Sequence, residues 1–264
     1  MDKLRAIRIA SYNINGINSR LHVLTRWLDE FRPDVVGLQE LKCTDDKFPH
    51  EPLEALGYSA IWHGQKSWNG VALLSRVGAP VETRRALPAD PNLDQSRYIE
   101  AAVCGILVGN MYAPNGNPKA GPKFDYKLAW LDRLLDHAQA LLDSGAPVLL
   151  TGDFNIIPTP EDVYKPERWL TDALFAPEAR DRYAELLKQG WTDAIRTLHP
   201  DESMFSFWHY WRNSFERDAG IRIDHLLLSP ALAKNLNSAG VDRMPRGWAK
   251  TSDHAPVWVE IAAA

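Results

Sequence analysis

The sequence predicts an α/β (α+β) fold in which two mixed β-sheets pack against each other beneath covering helices. Three observations lead there. Short β-branched and apolar runs recur along the whole chain, some pair across glycine turns, and amphipathic helical segments separate others. Antiparallel pairs combined with helix-linked strands favour two packed sheets over one purely parallel sheet.

The elements follow in order. Residues 7–13 (IRIASYN) read as a strand ended by the Asn15-Gly16 turn signal. Leu21, Leu24, Trp27, Leu28 and Phe31 recur at helical spacing, and Pro33 stops that helix before the buried strand Val35-Val36-Gly37-Leu38, which runs out at Glu40. Segments 58–63 and 70–76 read as strands, and 98–104 with 106–112 as an antiparallel pair around Gly105. A long helix over 124–143 places Phe124, Leu128, Leu131, Leu135, Ala138 and Leu142 on one stripe and stops at Gly145. Residues 148–151 form a short apolar strand, 177–188 a helix, and 204–219 a polar, aromatic loop region. The last strands are 223–228 and 256–261, separated by a short helix near 231–236 and an irregular stretch through Gly247. No linker, repeat or low-complexity segment divides the chain, so residues 1–264 read as one domain.

Composition narrows the class. Apolar residues at 45% and charged residues at 24% are ordinary globular usage. No apolar stretch approaches the roughly 18 residues needed to span a bilayer, and the N-terminus carries no signal-peptide pattern. The expectation is a cytoplasmic protein with no membrane partner. Cys43 and Cys104 lack CxxC or His-rich surroundings and read as small buried side chains in a reducing compartment. A net charge of −4 argues against a uniformly basic coat for nucleic acid but leaves room for local basic patches. Ten tryptophans are many for this length, and those in polar loops are candidates for stacking or wedging surfaces.

Polar side chains able to hold a hard cation fall repeatedly where an apolar strand stops: Asn13, Glu40, Asp153 with Asn155, Asp224, and Asp253 with His254. Each alone has an ordinary reading as a turn cap, a solvated strand end or a core histidine. The repetition marks a site, because side chains at rigid strand ends converge on one rim without crossing the core. In the GDFN segment at 152–155, Asp153 and Asn155 are two apart and point to the same side of an extended chain. Oxygen-rich, sulfur-free donors suit magnesium or manganese.

Together these segments resemble the exonuclease III-like apurinic/apyrimidinic endonucleases of the endonuclease/exonuclease/phosphatase superfamily. The resemblance spans nearly the whole chain, through SYNING at 11–16, LQELK at 38–42, GVALLSR at 70–76, NMYAPNG at 110–116, LLTGDFNI at 149–156, RIDHLLLS at 222–229 and SDHAPVW at 252–258. It implies a four-layered α/β sandwich of two mixed sheets flanked by helices. It makes Glu40 the principal metal ligand with Asn13 and Asp253 beside it, for one Mg2+ or Mn2+ ion or two. Asp153, Asn155 and His254 would form any second site. Asp153 would orient or deprotonate the attacking water, Asn155 would hold that water or the phosphate, and Tyr112 and Asn115 would contact the phosphate or assist the leaving group. His254, paired with Asp224, would be the phosphate-contacting imidazole. An aspartate partner favours protonated imidazole near neutral pH.

The GDFN and SDH pieces are shared with sphingomyelinases and inositol-phosphate phosphatases, so the loops must choose the substrate. Residues 205–225, FSFWHYWRNSFERDAGIRIDH, resemble the abasic-site endonucleases: Phe207, Ile221 and Ile223 would wall a small pocket, and Trp211 would probe the minor groove. Lys66, Trp68 and Asn69 fall where that family contacts the DNA backbone. The NLDQSR segment at 92–97 departs from the usual acidic-Gly-Arg version, which leaves the backbone contact of Arg97 in doubt.

The expected function is therefore a metal-dependent DNA repair phosphodiesterase. It would act as a monomer on double-stranded DNA containing abasic sites or blocked 3′ ends, cutting 5′ to the abasic site. Further expectations are 3′-phosphatase, 3′-phosphodiesterase and 3′→5′ exonuclease activity. The alternatives are a lipid or inositol-phosphate phosphodiesterase of the same superfamily and a catalytically idle DNA-binding protein.

Overall fold

Among the described residues, twelve strands form two six-stranded sheets. The computed structural model describes residues 6–262. The first sheet runs β11 (Leu236–Val241), β12 (Val257–Ile261), β1 (Ile7–Asn13), β2 (Val35–Gln39), β4 (Val71–Ser75), β3 (Ser59–His63). The second runs β5 (Val81–Arg85), β6 (Tyr98–Val103), β7 (Ile106–Tyr112), β8 (Val148–Asp153), β10 (Asp224–Leu228), β9 (Thr192–Asp193). Each sheet holds one parallel pair joined by a helix: β1 and β2 through α1 (Leu21–Phe31), and β7 and β8 through α3 (Pro122–Asp143). The remaining helices are α2 (His50–Ala55), α4 (Pro177–Gln189), α5 (Ala194–Leu198) and α6 (Pro230–Ala233).

Alternation along the strands explains the layering. Ile9, Val35, Leu73 and Val259 of one sheet meet Val108, Leu149 and Leu226 of the other in a shared core. On the outer face of the first sheet, Val36 and Leu38 pack on Leu24, Trp27 and Leu28 of α1. On the outer face of the second, Leu150 and Leu227 pack on Trp130 and Leu134 of α3 and on Tyr183 and Leu186 of α4. Each leucine or isoleucine fully buried in these seams contributes roughly 1.5–3 kcal/mol over leaving it exposed. The result is helix, sheet, sheet, helix: the four-layered sandwich that the family resemblance implies.

Several local expectations are corrected. The helix expected near 231–236 ends at Ala233, and the stretch expected to be irregular contains β11. β5 (VETRR) is exposed throughout and therefore lacks the apolar alternation by which strands are recognised. The short α2, α5 and β9 carry too few turns or residues to show a period. The buried face of α3 is rotated from the expected stripe: Lys127, Trp130, Leu134, His137 and Leu141 are buried, whereas Leu128, Leu135 and Leu142 are only half-buried. Cys43 is buried, but Cys104 is exposed at the hairpin turn with Gly105, and both thiols are free. Among the described residues no helix is long and apolar enough to cross a membrane.

One consequence of the topology positions the site. β10 runs antiparallel to β8, with Asp224 opposite Asp153, and β12 runs antiparallel to β1. The C-terminal ends of β1, β2, β7 and β8 therefore lie on the same rim as the starts of β10 and β12.

Candidate active site

Glu40, Asp153 and His254 come together at this rim, with one potential ligand atom from each lying within 4.8 Å of the others. Asn13 at the end of β1 ties the two carboxylates: its amide nitrogen donates to Glu40 Oε1 and to Asp153 Oδ2, each at 2.9 Å. Its amide oxygen accepts the backbone N–H of Asn15. As oriented here, Asn13 presents a donor to the carboxylates, and it would need to turn its amide over to become a ligand. Asp253 lies outside the trio, and its Oδ1 accepts from Asn15 Nδ2 at 2.9 Å.

Local backbone shape aims these groups. Gly152 has φ +137°, and a Cβ there would collide with the Met111 carbonyl oxygen, so the residue before Asp153 must be glycine. Glu40 and Asn155 both adopt left-handed backbone, at φ +52° and +50°. Such conformations cost energy in non-glycine residues and persist where surrounding bonds enforce them. Here Gly16 N–H holds the Glu40 carbonyl at 2.7 Å and Lys127 Nζ holds that of Asn155 at 2.5 Å.

His254 is fixed through Nδ1, which bonds Asp224 Oδ2 at 2.8 Å; that same oxygen accepts from Ser206 Oγ at 2.6 Å. The other ring nitrogen, Nε2, faces Asp153 Oδ2 at 3.7 Å. Burial alone would lower the imidazole pKa, but the carboxylates of Asp224, Asp153 and Asp253 outweigh it and hold His254 well above its ordinary value. Burial drives the Asp153 carboxyl upward from its ordinary value; His254 resists this, while Asp224 and Glu40 add to it. Tyr112 is pushed well above 10 by burial and by the charges of Glu40 and Asp153, so its phenol remains a donor. Arg97 stacks over that ring at 5.0 Å.

A cavity of about 300 Å3 opens above these groups. Tyr112, Asn115, Asn155 and Asp253 line its polar side, and Trp169, Leu174, Phe207, Ile221 and Ile223 form an apolar slot beside them. Ile221 and Ile223 are 2% exposed and belong to a small core with Leu174, so Phe207 and Trp169 offer most of the accessible apolar surface. Trp211 lies outside the cavity and is 59% exposed; it stacks on His209, which in turn stacks on Trp169. Lys66 is exposed on the loop whose Trp68 and Asn69 line an adjoining groove with Gln95, Arg97 and Lys123.

Sequence reasoning passed over several residues of this site. Lys42 bonds Glu40 Oε2 at 2.8 Å and Asn15 Oδ1 at 2.6 Å, and it lies two residues after Glu40 in LQELK. Ser206, Trp169, His209 and Leu174 carry no periodic or strand-end signal, and only folding brings them to the rim.

The donor set fits a divalent cation. Two carboxylates and an imidazole stand close together without sulfur, and the mutual repulsion of Glu40, Asp153 and Asp224 contributes to raising Asp153.

Comparison with known proteins agrees with this geometry. Residues 10–254 match the endonuclease/exonuclease/phosphatase family. Exodeoxyribonuclease III of Haemophilus influenzae is 38% identical over 97% of this chain and 100% of its own length. An AP endonuclease from Archaeoglobus fulgidus superposes with a TM-score of 0.93 at 35% identity, over 98% of this chain and 100% of that one. The 3′ phosphatase NExo from Neisseria, bound to a product DNA hairpin, gives 0.93 at 38% identity over the same shares. The chain therefore belongs to the endonuclease/exonuclease/phosphatase family and, within it, to the metal-dependent hydrolases of the exodeoxyribonuclease III group.

Proposed function

We propose that this hydrolase cuts the backbone of damaged double-stranded DNA, 5′ to abasic sites and at blocked 3′ ends, with magnesium or manganese as the ion. The observation that carries the reading is the Glu40, Asp153 and His254 cluster lying beside an apolar slot walled by Trp169, Leu174, Phe207, Ile221 and Ile223. The similar structures include an AP endonuclease and a 3′ phosphatase on the same fold, so the slot and not the sandwich ranks the substrates.

Glu40 and Asp153 would hold the cation, with Asn13 keeping their separation. His254 offers a lone pair only after losing a proton, so in its protonated form it serves as a cationic donor instead. When bound, a divalent ion would polarise the phosphate and offset the charge that develops on it. Asp153, which lies beside Glu40 and 3.7 Å from His254 Nε2, is placed to accept the proton of the attacking water. His254 Nε2–H and the Tyr112 phenol donate to the phosphate and leaving-group oxygens as their charge grows. Asp224, itself held by Ser206, keeps the imidazole protonated and oriented. Asn115 and Asn155 bond each other at 3.3 Å and present amides to the phosphate.

The test uses duplexes carrying an abasic analogue, a 3′-phosphate or an intact end, each with and without chelator. The reading expects chelator-sensitive incision of the first and dephosphorylation of the second. No cleavage of any duplex with magnesium or manganese, alongside hydrolysis of an inositol phosphate or sphingomyelin, would replace it with the lipid-type alternative.

A further inference from the structure

α3 buries a lysine where helical spacing leads one to expect solvent. Lys127 has 0% exposure, and its Nζ donates to the carbonyl oxygens of Asn115 at 3.1 Å, Asn155 at 2.5 Å and Ala173 at 3.3 Å. An ammonium has three donors, and here all three go to backbone, so none remains for substrate or solvent. The three acceptors belong to three separate segments. Asn115 follows β7, Asn155 follows β8, and Ala173 precedes Leu174 in the slot wall.

The surroundings are shaped to the lysine. Gly116 has φ +86°, and a Cβ on it would stand 2.6 Å from Lys127 Cδ. Burial pushes the ammonium down to about 7, with Asp153 and Asp172 opposing that shift. A buried charge without a close carboxylate bond is costly unless polar groups surround it, and three carbonyls in a triangle supply that need.

We propose that Lys127 is a positioning residue: it holds the phosphate-side amides of Asn115 and Asn155 and the slot wall at Leu174 in one fixed arrangement. The claim rests on the phosphodiesterase reading above. Without the ammonium, the buried carbonyls of Asn155 and Ala173 and the part-buried one of Asn115 lose their shared partner, and the left-handed backbone of Asn155 loses one of the bonds that hold it. Reacting groups displaced by about 1 Å can lose on the order of 100-fold in rate.

The experiment compares the unaltered protein with Lys127→Met, which keeps the length of the side chain and removes the donors, and with Lys127→Gln, which restores one polar end. Each is assayed on the abasic-analogue and 3′-phosphate duplexes at a temperature where circular dichroism and gel filtration show a native fold. The expected result is a kcat lowered about tenfold or more, a KM changed by less than about threefold, and an altered preference between the two substrates. A lysine that merely supported the domain would lower the melting temperature and leave kcat and preference as they were. Folded variants with kcat within about twofold of the unaltered protein would overturn the proposal. So would failure of both variants to fold, since Lys127 would then serve the whole domain and not the site. Inactivity of the unaltered protein on every duplex would instead count against the functional reading. The Lys127 proposal would then be decided by the crystal structure of the Met variant, in which it requires loss of the Asn115–Asn155 bond and a shifted Leu174. An unchanged arrangement there would overturn it.

Discussion

Arg222→Met should destabilise the protein strongly while sparing its chemistry. Arg222 is 1% exposed and meets Asp162 through two bonds, at 2.7 and 3.1 Å, Asp193 at 2.7 Å and His225 Nδ1 at 3.1 Å. Removing one partner of a buried ion pair leaves uncompensated charge and typically costs about 3–5 kcal/mol. The lower end applies here. Asp162 keeps Arg196 at 2.5 Å, and Asp193 keeps the Tyr183 hydroxyl at 2.8 Å and the Arg196 N–H at 3.1 Å. At roughly 2–4 °C per kcal/mol for a chain of this size, a loss of about 3 kcal/mol lowers the melting temperature by about 6–12 °C. Thermal melts followed by circular dichroism measure this. Turnover at 20 °C should remain close to that of the unaltered protein, because Asp224 is held by Ser206 and His254 and not by the arginine. A melting temperature changed by less than about 2 °C would refute the view that this network supports the strand behind Asp224.

Asp153→Asn and His254→Asn should each lower kcat by about two orders of magnitude or more while duplex affinity, measured by fluorescence anisotropy, changes little; near-normal turnover would remove them from the chemical step. Phe207→Ala should relax discrimination between abasic and intact duplexes, and Trp211→Ala should weaken binding to abasic duplex more than to intact duplex. Unchanged selectivity in both would show that the slot is not the discriminating element. Burial lowers His225 from 6.5 to about 4, with Arg222 adding to the shift. The folded state therefore binds fewer protons than the unfolded chain between those values. Its contribution is complete above 6.5 and is lost as pH falls toward 4, on the order of 3 kcal/mol. Urea melts across that range should show a smaller acid loss for His225→Gln than for the unaltered protein, and equal losses would contradict the sign.

Strand ends were the most legible part of this molecule. Asn13, Glu40, Asp153 and Asp224 are marked in the sequence by the apolar runs that stop at them, and the topology carries those stops to one rim. Burial patterns were less legible wherever a polar group goes inside. Lys127 occupies the buried face of α3 because backbone carbonyls await it, a condition that side-chain periodicity does not encode. The exposed β5 was silent for the converse reason, since an edge strand protected by charge shows no apolar alternation. Ser206, Trp169 and His209 reach the site from loops, and their roles depend on partners distant in sequence: Ser206 on Asp224, and His209 on Trp169 and Trp211. The early end of the helix near 231–236 has a simpler origin. Asn235, Asn237, Ser238 and Gly240 gave β11 no strand signature, although Gly240 lets the strand approach the Trp258 ring.

Glu40 and Asp153 are proposed to hold a divalent ion for hydrolysis of a DNA phosphodiester. Initial rates on the abasic-analogue duplex, titrated with magnesium for the unaltered protein and for Glu40→Gln, test it most directly. Expected are no incision in chelator, saturable activation of the unaltered protein, and a variant that folds normally but needs more magnesium and turns over more slowly. Incision that persists in chelator, or an identical magnesium dependence for the two proteins, would contradict it.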